Sequence, residues 1–135
     1  MRDRKMSGGG STGLLDVDAG DWESEVLGAE GPVLVDFWHD YCSWCKVLDP
    51  VLREVAGEFS GQLKFVRLNV LASDENNHVS HQYGVMGTPT LILFCNGRAV
   101  QSLVGFRPKE KLRGEIQGMI ETYEDCFKQS TPLES

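Results

Sequence analysis

The stretch from Val33 to Lys46 constrains this chain more than any other. Val33 to Trp38 is an apolar run of strand length, and it leads into a short loop that carries two cysteines, Cys42 and Cys45. Helical spacing follows, with Val47, Leu48, Val51, Leu52, Val55, Ala56 and Phe59 recurring on one face. Because the strand is apolar on both faces except at Asp36, it is expected at the centre of a sheet covered by helices. Cys42 then stands where a strand hands over to a helix. Unpaired N–H groups and the positive end of the helix dipole favour a thiolate over a thiol there. Cys45 lies one turn further on, close enough to close a disulfide. This is the layout of a dithiol redox centre; a static disulfide or half of a metal site is the competing reading.

A chain of 135 residues suits one domain with a proper core. The net charge of −7 disfavours nucleic acid and anionic membranes as partners, since neither is drawn to an acidic surface. Membrane-spanning runs are absent from the sequence. Cys95 and Cys126 are far apart, and a core of this size needs no staple, so a disulfide framework is not expected. Cys95 is read as a buried inert thiol and Cys126 as an exposed one able to dimerise by oxidation. Residues 1–13 carry Arg2, Arg4, Lys5 and a Gly-rich run without an apolar segment, which reads as a flexible arm of a cytoplasmic protein.

Along the chain, Leu14 to Val17 reads as a strand, and Asp18 caps a helix bearing Trp22, Val26 and Leu27. Pro50 should kink the second helix. A third strand spans Leu63 to Asn69, a polar insert surrounds Asp74, and a short helix runs from Val79 to Tyr83. Thr90 to Cys95 and Ala99 to Val104 form a hairpin around Asn96-Gly97. Pro108 opens a last helix with Leu112, Ile116, Met119, Ile120, Tyr123 and Phe127 on its buried side. The order β-α-β-α-β-α-β-β-α implies an α/β domain with a mixed sheet. Its expected bounds are residues 14–121, with the end of the last helix and a tail over 122–135.

These elements carry a resemblance to the thioredoxin family. It rests on Val35-Asp36-Phe37-Trp38, the Cys-x-x-Cys-Lys block, Pro50, Tyr83-Gly84-Val85, Gly87-Thr88-Pro89-Thr90, Phe94-x-Asn96-Gly97 and Val104-Gly105, in order over roughly Leu14 to Glu121. The resemblance implies a thioredoxin fold, a central mixed five-stranded sheet flanked by four helices, and protein disulfide reductase or oxidase activity. It implies Cys42 as nucleophile, Cys45 as resolving thiol and Asp36 as a buried proton acceptor, with Arg67 close to that carboxylate. Burial alone should raise the Asp36 pKa. Pro89 corresponds to the family's cis-proline facing the disulfide. Thr88 and Val104-Gly105-Phe106 correspond to backbone that holds an extended substrate segment; Trp38, Tyr41 and Trp44 complete the expected substrate-binding set.

The chain departs from the family at Ser43-Trp44, where Gly-Pro is usual, and at Tyr41, where Trp is common. Without the proline an extra N–H lies near the thiolates, and the expectation is a centre somewhat more oxidising than a Gly-Pro thioredoxin. His39 is read as solvated, with promotion of the thiolate as the alternative. His78 and His81 read as solvent-facing. His39, Cys42 and Cys45 lack an evident fourth ligand, so no metal and no cofactor are expected. Gly114 and Gly118 lie beside Glu115 and Glu121, which excludes a membrane reading. The expected partners of a monomeric chain are protein disulfide substrates and a reductase that supplies electrons. A more oxidising oxidase or isomerase, and a non-catalytic binding module, are the alternatives.

Overall fold

The computed structural model describes residues 13–128, so the readings of an N-terminal arm through residue 12 and of a tail beyond 128 lie outside the described residues. Five strands form one sheet: β1 (Leu14–Val17), β2 (Val33–Trp38), β3 (Lys64–Asn69), β4 (Thr90–Cys95) and β5 (Arg98–Val104). Their spatial order is β1-β3-β2-β4-β5. β3 runs parallel to both β1 and β2, whereas β4 is antiparallel to β2 and β5. β2 is therefore central, as an apolar strand with two buried faces requires.

The two faces of the sheet bury separate clusters. Leu34, Phe65, Leu91 and Leu93 pack with Leu48, Leu52, Val55, Ile116 and Met119, which belong to helices α1 (Ser43–Phe59) and α3 (Lys109–Thr122). Val33, Val35, Phe37, Val66, Leu68 and Ile92 meet Trp22, Val26 and Val79 on the opposite side. Period-two alternation along β2 and β3 assigns side chains to these layers. It also puts Asp36 on the α1 side, between Leu34 and Trp38.

Several local readings are corrected. In place of one regular helix after Asp18, the chain makes a 3-10 turn at Ala19–Asp21 and a wider π-type winding at Glu23–Leu27. Asp18 N–H donates to Asp21 Oδ2 (3.0 Å), a local bond that tightens the entry. The polar insert is itself helix: α2 covers Asp74–Gln82, capped by Ser73, whose hydroxyl accepts from Asn76 N–H (3.0 Å). Asn76 is buried because its amide bridges elements, accepting from Ala19 N–H (2.7 Å) and donating to Asp18 Oδ1 (2.9 Å) and Asn69 O (3.0 Å). A polar run with one such anchor has no apolar period to betray it. The final helix also breaks, at Tyr123, so Phe127 lies on a separate short helix, α4 (Glu124–Lys128). Helix α1, by contrast, runs through Pro50 without ending. In the β4–β5 turn Asn96 and Gly97 both have positive φ (54° and 80°), the pair a two-residue hairpin demands. A Cβ at Gly97 would lie 3.0 Å from Leu27 O, so the turn also needs glycine to pack.

The cysteine reading changes most. Cys95, at the end of β4, and Cys126, on α4, form a disulfide with a Cα–Cα separation of 5.8 Å, and both are buried. Neither is the free thiol expected, and Cys126 is not exposed. Their 31-residue separation hides a close approach, because α3 returns along the sheet and brings α4 back to the end of β4. Closing a loop of that length stabilises a fold by about 3–4 kcal/mol through the unfolded chain. Replacing both cysteines by alanine should therefore lower the thermal midpoint by about 10–15 °C, measured with Cys42 and Cys45 intact. A drop of only a degree or two would mean that the bond contributes little.

Candidate active site

β2 ends at Trp38, and the chain turns through His39 to Tyr41 into the first turn of α1. Cys42 occupies the cap position of that helix, with its Sγ accepting from Cys45 N–H (3.1 Å). A bond that satisfies an otherwise unpaired N–H of the helix start also stabilises negative charge on that sulfur. Cys42 and Cys45 are joined as a disulfide, Cα–Cα 5.2 Å, so the site is in its oxidised form. Cys42 is 9 % exposed and Cys45 5 %, so the first cysteine is the less deeply buried of the two. His39 serves the loop, its Nδ1 accepting from Tyr41 N–H (3.1 Å). His78 and His81 are exposed on α2. Among the described residues no cluster of three or more His, Cys, Asp or Glu side chains is placed to hold a metal ion.

Asp36 lies beneath the disulfide's helix, 4 % exposed, and its Oδ1 has no hydrogen-bond partner. Burial pushes its pKa up to about 7; the Arg67 guanidinium pulls it down, and the carboxylates of Asp49 and Asp16 push it up. The expected proximity of Arg67 holds only through space. Its Nε donates to Asp16 Oδ1 (2.9 Å) and its Nη1 to Asp49 Oδ1 (2.8 Å), leaving Asp36 without it. The guanidinium also sits over the Trp38 ring, 4.2 Å from its centroid. Trp38 is half-buried, with its Nε1 enclosed and unpartnered, so this ring supports Arg67 from below. Trp38, Asp40, Cys45, Lys46, Asp49 and Arg67 line a cavity of about 260 Å³ between the sheet and α1.

The sheet order brings the loops before β4 and after β5 to the same end. β4 starts beside the end of β2, with Thr90 opposite Phe37 and, on its other side, opposite Val104 of β5. The Thr88–Pro89 peptide is cis. Pro89 O accepts from Gly105 N–H (2.8 Å), and the Thr90 hydroxyl donates to Gly87 O (2.6 Å). Arg107, clamped to Glu115 (Nε–Oε1 2.7 Å), donates to Gly105 O (2.7 Å) and fixes the loop after β5. Arg107 holds the Glu115 carboxyl below its usual range by that hydrogen bond.

Among the described residues, the large apolar side chains left exposed are Tyr41, Trp44, Val47, Leu71, Met86 and Val104. All six lie at this end of the sheet: Tyr41, Leu71 and Met86 in loops, Trp44 and Val47 in the first two turns of α1, and Val104 at the end of β5. Met86 is 94 % exposed and Tyr41 85 %, which no core role explains. Trp44 leans on Phe106, ring centroids 5.4 Å apart, so it forms a wall rather than a loose side chain. Of the expected substrate-binding residues, Tyr41, Trp44, Thr88, Val104 and Gly105 lie at this end of the sheet with their surfaces at least partly open, whereas Pro89 is buried and Trp38 half-buried. Val47, read above as part of the apolar face of the helix, is exposed instead, and Leu71 and Met86 carried no signal in the sequence. A lone apolar residue in a loop reads as core until the sheet order shows where the loop goes.

Comparison with known proteins agrees with this geometry. The family model described as Thioredoxin matches residues 13–118. A thioredoxin of Pseudomonas aeruginosa is 43% identical over 107 residues, covering 79% of this chain and 96% of the relative. One of Haemophilus influenzae is 42% identical over 107 residues, covering 79% and 97%. An M-type chloroplastic thioredoxin of Brassica napus is 36% identical over 111 residues, covering 82% of this chain and 61% of the relative.

Proposed function

Because the chain belongs to the thioredoxin family and is a thiol–disulfide oxidoreductase, we propose a specific division of labour within its site. In the reduced protein the Cys42 thiolate attacks one sulfur of a substrate disulfide. The substrate's S–S bond breaks, and its other sulfur leaves as a thiolate that takes a proton from water. Cys45 then transfers its thiol proton to the Asp36 carboxylate and attacks Cys42 Sγ. The mixed disulfide breaks and Cys42–Cys45 closes. The second substrate sulfur leaves as a thiolate that takes its proton from water, so the substrate departs as a dithiol, while Asp36 later returns its proton to solvent. Two electrons pass from protein to substrate, and a reductase or a dithiol restores the starting state.

The observation that carries this reading is that, among the described residues, the exposed large apolar side chains all lie at the end of the sheet that carries the disulfide, above a buried carboxyl whose Oδ1 has no hydrogen-bond partner. Extended segments of a protein substrate fit there, with Thr88 and Val104-Gly105 supplying strand-like hydrogen bonds and Tyr41, Trp44 and Pro89 apolar contact. Work in the cytoplasm as a monomer, on protein substrates rather than nucleic acid or membrane, completes the proposal. The Cys95–Cys126 bond is the observation on the other side, since disulfides persist mainly in oxidising compartments.

Insulin reduction with a dithiol as electron source tests the reading. Turnover is expected for the wild type. A Trp44→Ala/Met86→Ser variant should lose roughly tenfold in kcat/KM for insulin, about the contact energy of one well-buried ring. Its rate with a small aromatic disulfide should be unchanged. Equal losses on both substrates would place the defect in the sulfur chemistry and retire the docking rim.

A further inference from the structure

The role of Asp36 as proton acceptor, read above, depends on its lacking a cationic partner. β3 places Arg67 directly beside it: Arg67 is in register with Asp36 on β2 and with Asp16 on β1. Two carboxylates thus flank one guanidinium on the sheet, and the pair formed is the outer one, with Asp16. A third group breaks the tie. Asp49, four residues after Cys45 and so on the same face of α1, reaches down and accepts Arg67 Nη1 (2.8 Å). Its other oxygen accepts from Arg53 Nε (2.9 Å).

We propose that Asp49 is a positioning residue for proton transfer, holding Arg67 toward itself and Asp16 so that Asp36, on the face of the sheet beneath the helix of the resolving cysteine, stays unpaired. The inference rests on the reading of Asp36 as acceptor.

The charge count supports it. Arg53, Asp49, Arg67 and Asp16 form a chain of two cations and two anions. Removing Asp49 leaves Arg53 without its partner and Arg67 with Asp16 alone, its Nη1 freed on the strand that carries it beside a buried carboxyl. The other charged groups on the cavity are Lys46, also on α1, and Asp40 in the loop before it. Both are present in every variant considered. A guanidinium free to pair with Asp36 would lower its pKa and leave its carboxylate a weaker base toward the Cys45 thiol. The direction of each influence agrees: Arg67 lowers the pKa of Asp36, and Asp49 raises it.

Carbon NMR of the Asp36 carboxyl across pH reads the effect directly, in the wild type and in Asp49→Asn, Asp49→Ala and Asp49→Glu. Asn and Ala should lower the titration midpoint by roughly half a unit to one unit, and Glu should keep it near the wild-type value. The pH profile of mixed-disulfide release should move the same way. A merely structural role would shift neither, and melting curves confirm that the variants fold. Midpoints unmoved in Asn and Ala overturn the inference, whatever the kinetics. Separately, an Asp36→Asn protein that releases substrate with the wild-type rate and pH profile overturns the acceptor reading, and this inference with it, whatever the titration shows.

Discussion

Cys42→Ser is expected to reduce protein disulfide reduction by roughly a thousandfold or more, the scale seen when a nucleophile acting as part of a unit is removed. The reason is chemical. A serine hydroxyl ionises far above neutral pH, and its oxygen cannot enter the exchange between sulfurs by which electrons move. The cap position would survive, because serine caps a helix as well as cysteine does, so the fold should be kept. Cys45→Ser should behave differently. Its Cys42 can still attack, free of its closing partner, and the reaction should stop at the mixed disulfide after one turnover. Intact-mass measurement on a protein substrate should then show a one-to-one adduct with the Cys45 variant and none with the Cys42 variant. Adducts on Cys45 in the Cys42→Ser protein would reverse the assignment of nucleophile and resolver. Full turnover in a double serine variant would end the dithiol account.

Asp36→Asn should make the oxidised protein more stable, by roughly 4 kcal/mol at pH 8 and by almost nothing at pH 4. The sign follows from linkage. In the folded state the carboxyl has a pKa raised from 3.8 to about 7, mainly by burial, so the folded chain binds a proton more tightly than the unfolded one. As pH rises from about 4 to about 7, the unfolded state loses that proton first and the folded state weakens. Above about 7 the whole penalty of a buried, ionised and partly unpartnered carboxylate is present. Asparagine keeps the shape and never ionises, so the penalty vanishes. Urea unfolding at pH 4, 6 and 8 checks the trend; a stability difference that does not grow with pH would contradict it. The same variant should release the mixed disulfide more slowly near neutral pH, since Cys45 loses its acceptor. Stability and proton transfer would then be opposed at one residue, the relation expected of a strained functional group.

Local patterns made much of this legible. The alternation and apolarity of Val33 to Trp38 located the central strand, and Asp36 stood out as the one acid within it. Asn96-Gly97 marked the hairpin, because only positive φ at both positions suits that turn. Where the reading erred, competing local forces had no periodic signature. The helix from Asp74 is polar on nearly every side and is anchored by Asn76 rather than by an apolar stripe. The winding after Asp18 answers to the packing of Trp22 between Phe37, Tyr83 and Phe94, rings that come from three other elements.

The sequence by itself determined the strand–loop–helix that carries Cys42 and Cys45, the buried acid and the hairpin, since each is decided by neighbours within a few residues. Tertiary structure alone decided which carboxylates hold Arg67, that Cys95 meets Cys126, and that the exposed Met86 and Leu71 lie at the same end of the sheet as Trp44. Those outcomes depend on strand order and register, which place groups tens of residues apart within bonding distance. An ion pair or a disulfide acts over a few ångströms and is blind to the length of chain between its ends.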